Sequence, residues 1–234
     1  MLKIISFKIC PFVQRVTALL DTKNIPYEID YIQLNNKPSW FLEISPHGQV
    51  PVLITDSGLP LFESDAIVEY LEEAYPPLNP ALSPEQRAIN RAWSYLASKH
   101  YLTQCSAQRS SDEATLRSRS QALNTAFQTI EDKLGNTRFF NGDTISTVDI
   151  AWLPLLHRAA IIEQNSGYDF LSDYPKLKAW QRTLMATGIP QASVSQDFEQ
   201  VFSNFYLSED TCLGHRNQAV HNTPSTPCAS KHCC

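Results

Sequence analysis

The sequence predicts an α/β unit of order β-α-β-α-β-β-α followed by an all-α helical bundle. Three observations carry that reading. Short β-prone runs alternate with helix-periodic runs over residues 3–75, Pro76, Pro77, Pro80 and Pro84 then interrupt the chain, and beyond them only helical signals recur. With 234 residues, 43% of them hydrophobic and 18% charged, the chain can bury a core without metal or disulfide staples.

The elements follow in order. Residues 3–7 form a short β-prone run that ends at a turn. Pro11 suits the first helical turn, where no backbone donor is missed, and Phe12, Val13, Val16, Leu19 and Leu20 recur at helical spacing. Asn24-Ile25-Pro26 stops that helix, and residues 27–32 alternate as a half-buried strand does. Residues 39–44 read as a short helix, 50–54 as a third strand, Ser57-Gly58 as a turn and 59–62 as a fourth strand. Ser64, read as an N-cap, opens a helix with Ala66, Ile67, Tyr70 and Leu71 on its apolar face.

Beyond the prolines, Ser83-Pro84-Glu85-Gln86 is a capping box with proline at the first helical position. Residues 111–134 read as a long helix stopped by Gly135, and Ser146-Thr147-Val148-Asp149 caps a third helix with Ile145 and Ile150 as a hydrophobic staple. Residues 175–186 form a fourth, ended by Gly188. The expected organisation is therefore a first domain at 1–77, a linker at 78–84, a helical domain at 85–207 and a loose, polar tail at 208–234.

Charge and composition exclude several classes. Lys and Arg number 19 against 24 Asp and Glu, and the net −5 falls entirely on residues 1–78. An acidic chain without a basic stripe is not expected to bind nucleic acid. No apolar run approaches the ~18 residues of a membrane span, and the N-terminal residues show no cleavage-site pattern of a signal peptide. Four of the six cysteines, Cys212, Cys228, Cys233 and Cys234, crowd the tail, and Cys10 and Cys105 stand apart. This pattern predicts a reducing, cytoplasmic compartment rather than a disulfide framework. Cys228, His232, Cys233 and Cys234 lack the two-plus-two spacing of a zinc site, so no metal is expected.

Chemistry is expected at three places. Cys10 sits where a strand passes into the Pro11 helix, whose unpaired N–H groups and dipole favour an anion. The helix end is expected to hold that thiol below the ordinary ~8.5. Position 13 is Val, so a dithiol partner is missing and the resolving thiol must come from elsewhere, most simply a small thiol cofactor. The second place is His47-Gly48-Gln49-Val50-Pro51, where a cis Val50-Pro51 peptide would expose the Val50 backbone to a ligand, although a plain turn explains the motif equally well. At the third, Glu63-Ser64-Asp65, a helix N-terminus able to take a carboxylate is preceded by an acid able to take an ammonium.

Together these motifs resemble the cytosolic glutathione transferases, and the omega class in particular. Cys10-Pro11-Phe12, residues 35–41, Pro46 to Leu53 and Phe62 to Ile67 carry the resemblance, and residues 69–76 continue it. Downstream, residues 146–149 and 175–180 are similar to helices of that family's second domain. The resemblance implies a thioredoxin-like first domain and an enzyme that uses glutathione as co-substrate. It assigns Cys10 the mixed disulfide with glutathione, and packs Phe12 beside it. Lys37 takes the glycine carboxylate, Val50 pairs main chain to main chain with its geometry set by cis Pro51, and Glu63 and Ser64 take the γ-glutamyl end. Trp180 falls at the second-substrate pocket, although its spacing with Leu177 and Leu184 reads equally as core.

The resemblance further implies a homodimer acting as a thiol transferase or reductase on glutathionylated proteins, small disulfides or dehydroascorbate. With cysteine in place of tyrosine or serine at position 10, conjugation through glutathione's own thiolate is not expected. Two alternatives remain open within the resemblance. One is a non-enzymatic interaction protein akin to the stringent starvation protein or the chloride intracellular channel proteins; the other is a glutathionyl-hydroquinone reductase.

Overall fold

The computed structural model describes residues 1–221. Four strands form one mixed sheet in the order β2-β1-β3-β4, with β1 at Leu2–Ser6, β2 at Tyr27–Tyr31, β3 at Val52–Ile54 and β4 at Pro60–Phe62. Strand β1 runs parallel to β2 and antiparallel to β3, which pairs antiparallel with β4. Parallel pairing of β1 and β2 demands a crossover, and helix α1 (Pro11–Thr22) supplies it. Helices α2 (Ser39–Ile44) and α3 (Ser64–Ala74) complete the expected order.

The period-two alternation of β1 sorts the two faces. Leu2 and Ile4 point into a core shared with Val16, Leu19 and Leu20 of α1 and Ile67 and Leu71 of α3. Ile5 points the other way, onto Phe41 of α2 and Val52. Ile150 and Leu153, from the helical part, also enter the first core, so the two parts of the chain share apolar contacts.

That helical part holds α4 (Pro84–Ser98), α5 (Tyr101–Gln108), α6 (Glu113–Lys133), α7 (Thr147–Ser166), α8 (Pro175–Met185), α9 (Ile189–Ala192), α10 (Phe198–Tyr206) and α11 (Cys212–His221). The Ser83 capping box forms as its spacing predicts, with Gln86 N–H on Ser83 Oγ at 3.3 Å and Ser83 N–H on Gln86 Oε1 at 2.9 Å. Helix α7 is the axis. It is buried on nearly every side, as an all-round apolar helix must be.

Two expectations about this part are corrected. Helices α5 and α9 were not foreseen; each is short, and neither repeats an apolar period long enough to register. The tail expected to be loose from Ser208 is instead folded through α11. Thr211, Cys212 and Leu213 are buried, Cys212 N–H donates to Ser110 O at 2.8 Å, and Thr211 Oγ donates to Tyr206 O at 2.9 Å. A Cβ on Gly214 would stand 2.0 Å from Ser208 O, so the turn closes only because that residue is glycine. Two apolar side chains and one glycine dock the segment, too few to stand out among polar neighbours. Cys228, His232, Cys233 and Cys234 lie outside the described residues.

Candidate active site

The cleft that collects the expected chemistry lies at the end of the sheet where β1 hands over to α1. Its volume is about 270 Å³, and its lining includes Cys10, Phe12, Lys37, Val50, Pro51, Glu63 and Ser64. All the residues assigned from sequence to glutathione therefore share one cavity, although they come from four separate stretches of chain.

Local structure explains each placement. Cys10 is the N-cap residue of α1, with extended backbone; its N–H donates to Phe7 O at 3.0 Å and its carbonyl accepts from Gln14 N–H at 3.2 Å. Its thiol faces Val50 O at 3.9 Å across the cleft. The Val50-Pro51 peptide is cis. The loop before it is pinned by Ser45, whose hydroxyl accepts from Gln49 N–H and donates to Gln49 O, both at 2.9 Å. Gly48 takes a left-handed φ of +58°, and a Cβ there would stand 3.4 Å from Lys37 Nζ, so the glycine gives the lysine its berth.

Glu63 is the unusual backbone. It caps α3 with φ +66° and ψ 116°, a region that non-glycine residues rarely enter and that costs on the order of 1–3 kcal/mol. The consequence is that Ser64 is the first helical residue rather than the cap, buried with its N–H at the helix N-terminus. Behind it, buried Arg15 of α1 pairs with Asp65 and ties the start of α3 to α1.

The electrostatics of Cys10 differ from the expectation. Burial pushes the thiol up to about 11; the Val13 and Phe12 N–H groups and the Arg158 charge pull it down without prevailing. The helix-end effect predicted from sequence is present, but desolvation outweighs it. Phe12, on the cleft wall, meets Tyr101 edge-to-face, with ring centroids 5.0 Å apart, and the Tyr101 hydroxyl donates to Ala151 O at 2.5 Å.

Trp180 does not belong to this cleft, and its assignment to a second-substrate pocket is corrected. It is 4% exposed, packs on Phe140 and Trp152, and donates from its indole N–H to Asp149 Oδ1 at 2.8 Å. A buried indole needs a partner for its N–H, and the capping carboxylate of α7 supplies it. The cleft gains instead Leu34, Phe62 and Leu102. Leu102, 65% exposed on α5, brings the helical part of the chain to the cleft, and an unforeseen helix hid it from sequence reasoning.

Among the described residues no cluster of His, Cys, Asp and Glu is arranged to hold a metal, and no helix is long and apolar enough to cross a membrane.

Comparison with known proteins gives consistent relatives. Residues 4–81 match the family model described as glutathione S-transferase, N-terminal domain, and residues 87–187 the corresponding C-terminal domain. The chain is 33% identical over 219 residues to glutathione S-transferase omega-1 of Sus scrofa, covering 91% of this chain and 89% of that one. It is also 33% identical over 179 residues to the probable glutathione S-transferase DHAR1, cytosolic, of Oryza sativa subsp. japonica, covering 76% and 80%. Among solved structures, glutathione transferase Omega 3C of Trametes versicolor superposes with a TM-score of 0.70 at 27% identity, over 83% of this chain and 89% of that one.

Proposed function

Because the chain belongs to the glutathione S-transferase family, we propose that it is a glutathione-dependent thiol transferase and reductase working through Cys10. One observation carries the reading: a lone thiol at a helix N-terminus shares its cleft with a lysine, an acid, a second helix N-terminus and an exposed main-chain segment. These complement the two carboxylates, the ammonium and the peptide backbone of glutathione. Lys37 holds the glycine carboxylate, Val50 pairs with the backbone of the glutathione cysteine, and Glu63 and Ser64 hold the γ-glutamyl end. Relatives named omega-1 and DHAR1 support the same assignment.

The steps balance. Cys10 gives its proton to water, and its thiolate attacks the glutathionyl sulfur of a mixed disulfide. That S–S bond breaks, and the released thiolate takes up a proton. A second glutathione, as thiolate, attacks the glutathionyl sulfur on Cys10, so oxidised glutathione leaves and Cys10 is restored. Two electrons pass from glutathione to the substrate. Small disulfides and glutathionylated proteins enter by this exchange; dehydroascorbate enters instead as a Cys10 thiohemiketal. Glutathione thiolate attacks the Cys10 sulfur of that adduct, the C–S bond breaks, and ascorbate leaves with the electron pair and takes up a proton. A second glutathione then frees Cys10 as oxidised glutathione departs. A homodimer in a reducing, cytoplasmic setting completes the proposal; free glutathione is abundant there, and sedimentation of the full chain checks the dimer.

Incubation of the full chain with oxidised glutathione tests the mechanism by intact mass. One glutathionyl group, mapped to Cys10 and removed by dithiothreitol, is expected. A mass that does not change, or an adduct confined to other cysteines, overturns it.

A further inference from the structure

Arg158 sits in the core behind Cys10 with no exposure to solvent. A buried guanidinium is ordinarily paired with a carboxylate, because an isolated charge in low dielectric is costly. Arg15, the other fully buried arginine, obeys this rule through Asp65. Arg158 does not. It donates to Gln14 Oε1, to Pro154 O at 3.1 Å and to Ile9 O at 3.2 Å, and none of these is a carboxylate. Its Nε–H is buried without a partner, as is that of Arg15, so what separates the two is the carboxylate that Arg15 has and Arg158 lacks. The guanidinium lies over the Phe198 ring, its Cζ 5.3 Å from the centroid.

The titratable groups facing it from the packed elements are thiols and phenols: Cys10 at the start of α1, Tyr101 and Cys105 on α5, and Tyr206 on α10. Its neighbour on α7, His157, is held neutral by burial and by the same positive charge. The cation therefore lies among groups whose resting forms are uncharged. Two of its hydrogen bonds bracket Cys10 in sequence: Ile9 precedes it, and Gln14 lies one turn into the helix that Cys10 caps.

We propose that Arg158 is a positioning residue for thiol chemistry at Cys10: its buried charge is the counter-ion of the Cys10 thiolate, and its grip on Ile9 and Gln14 fixes the thiol's place at the helix end. When Cys10 loses its proton to solvent, the anion forms beside a cation already desolvated and held in place, so no reorganisation is needed at that moment. The proposal rests on Cys10 being the reactive thiol. Its test uses no glutathione, so it fails separately from the glutathione reading.

The experiment is alkylation of Cys10 by iodoacetamide in the full chain between pH 6 and 11, followed on the Cys10 peptide by mass spectrometry. Arg158→Met is expected to react about 10-fold more slowly than wild type at any pH below the plateau, a displacement of about one pH unit. Arg158→Lys, which keeps the charge, is expected to stay within about 3-fold. A folded Arg158→Met whose profile superimposes on wild type overturns the proposal. Should that variant not fold, wild-type protein alkylated at Cys10 gives the answer alone. The carboxymethyl adduct from iodoacetate is an anion, and the carbamidomethyl adduct from iodoacetamide is its neutral counterpart of similar size. The anionic adduct is expected to melt higher; equal or reversed melting temperatures overturn the proposal.

Discussion

Two fully buried charges lie on helix α7 less than three turns apart, and the fold treats them oppositely. Asp149, at its N-terminus, accepts four hydrogen bonds: the Ser146 N–H at 2.8 Å, the Ser146 hydroxyl at 2.6 Å, the Phe140 N–H at 3.0 Å and the Trp180 indole at 2.8 Å. Burial raises its carboxyl, and these donors oppose that rise. Arg158 is left with an orphan Nε and no carboxylate among its partners. A buried polar group whose demands are met locally holds structure together; one left short is free to serve chemistry that supplies the missing charge. The same sorting separates Trp180, whose N–H is used up by Asp149, from the cleft residues, whose polar groups face open space.

The largest expected effect lies on the unsatisfied side. Cys10→Ser removes the nucleophile and should lower disulfide exchange by at least ~10³-fold, in the range that loss of a nucleophile produces. Because serine is nearly isosteric with cysteine and Cys10 only borders the first core, the variant's melting temperature should stay near wild type. A variant that keeps most of its exchange rate would show that the thiol chemistry resides elsewhere. On the satisfied side, Asp149→Ala strands four donors in the core and should cost about 3–5 kcal/mol of stability. Urea titration measures it; a loss below 1 kcal/mol would mean that the network is not what holds the start of α7.

A third effect concerns the segment docked by α11. Leu213 is fully buried in the helical core, so Leu213→Ala should cost about 2–5 kcal/mol, with the Cys10 alkylation rate unchanged in the folded protein. An undiminished melting temperature would return this segment to the loose tail that its polar composition suggested.

The difference between the two buried charges also marks how far the sequence could be read. Asp149 was legible because a capping box is local: serine and acid three residues apart declare their own bonds. The cleft residues were legible because Cys10-Pro11, Val50-Pro51 and Glu63-Ser64 each sit at a junction between elements, where backbone groups are unpaired. Their convergence on one cavity rested on family resemblance, since no local signal joins position 10 to position 63. Arg158 carries no such local signal: in sequence it is only one arginine beside His157 inside the apolar run from Ile150 to Ile162. What makes it notable is a missing partner, and only a three-dimensional arrangement shows that. Trp180 reads equally as pocket or core from sequence for the matching reason: the partner that settles it as core lies 31 residues away in the chain. The height of the Cys10 thiol was misjudged because a helix end is readable from sequence and desolvation by distant helices is not.

The smallest effect tests the electrostatic side of the comparison through pH. Gln14 spends its Oε1 on Arg158, so its amide N–H must donate to His157 Nδ1, at 2.8 Å. His157 therefore carries its proton on Nε2 and is neutral; its ring stacks on Phe198 at 5.5 Å between centroids. Burial first, and then the Arg158 charge, push its pKa down to about 3, against an ordinary 6.5. Between those values the unfolded chain binds a proton that the folded protein refuses. Stability must therefore fall as pH drops through this window, and rise as pH is restored. At pH 5 the gap of 1.5 pH units corresponds to about 2 kcal/mol relative to pH 7. His157→Gln removes the titrating ring, and carboxylates titrate alike in both proteins, so the loss between pH 7 and pH 5 should be about 2 kcal/mol smaller in the variant. Urea titrations of both proteins at the two pH values measure the difference. Equal losses would mean that His157 accepts a proton inside the fold. The uncompensated cation beside it would then be weaker than its burial implies.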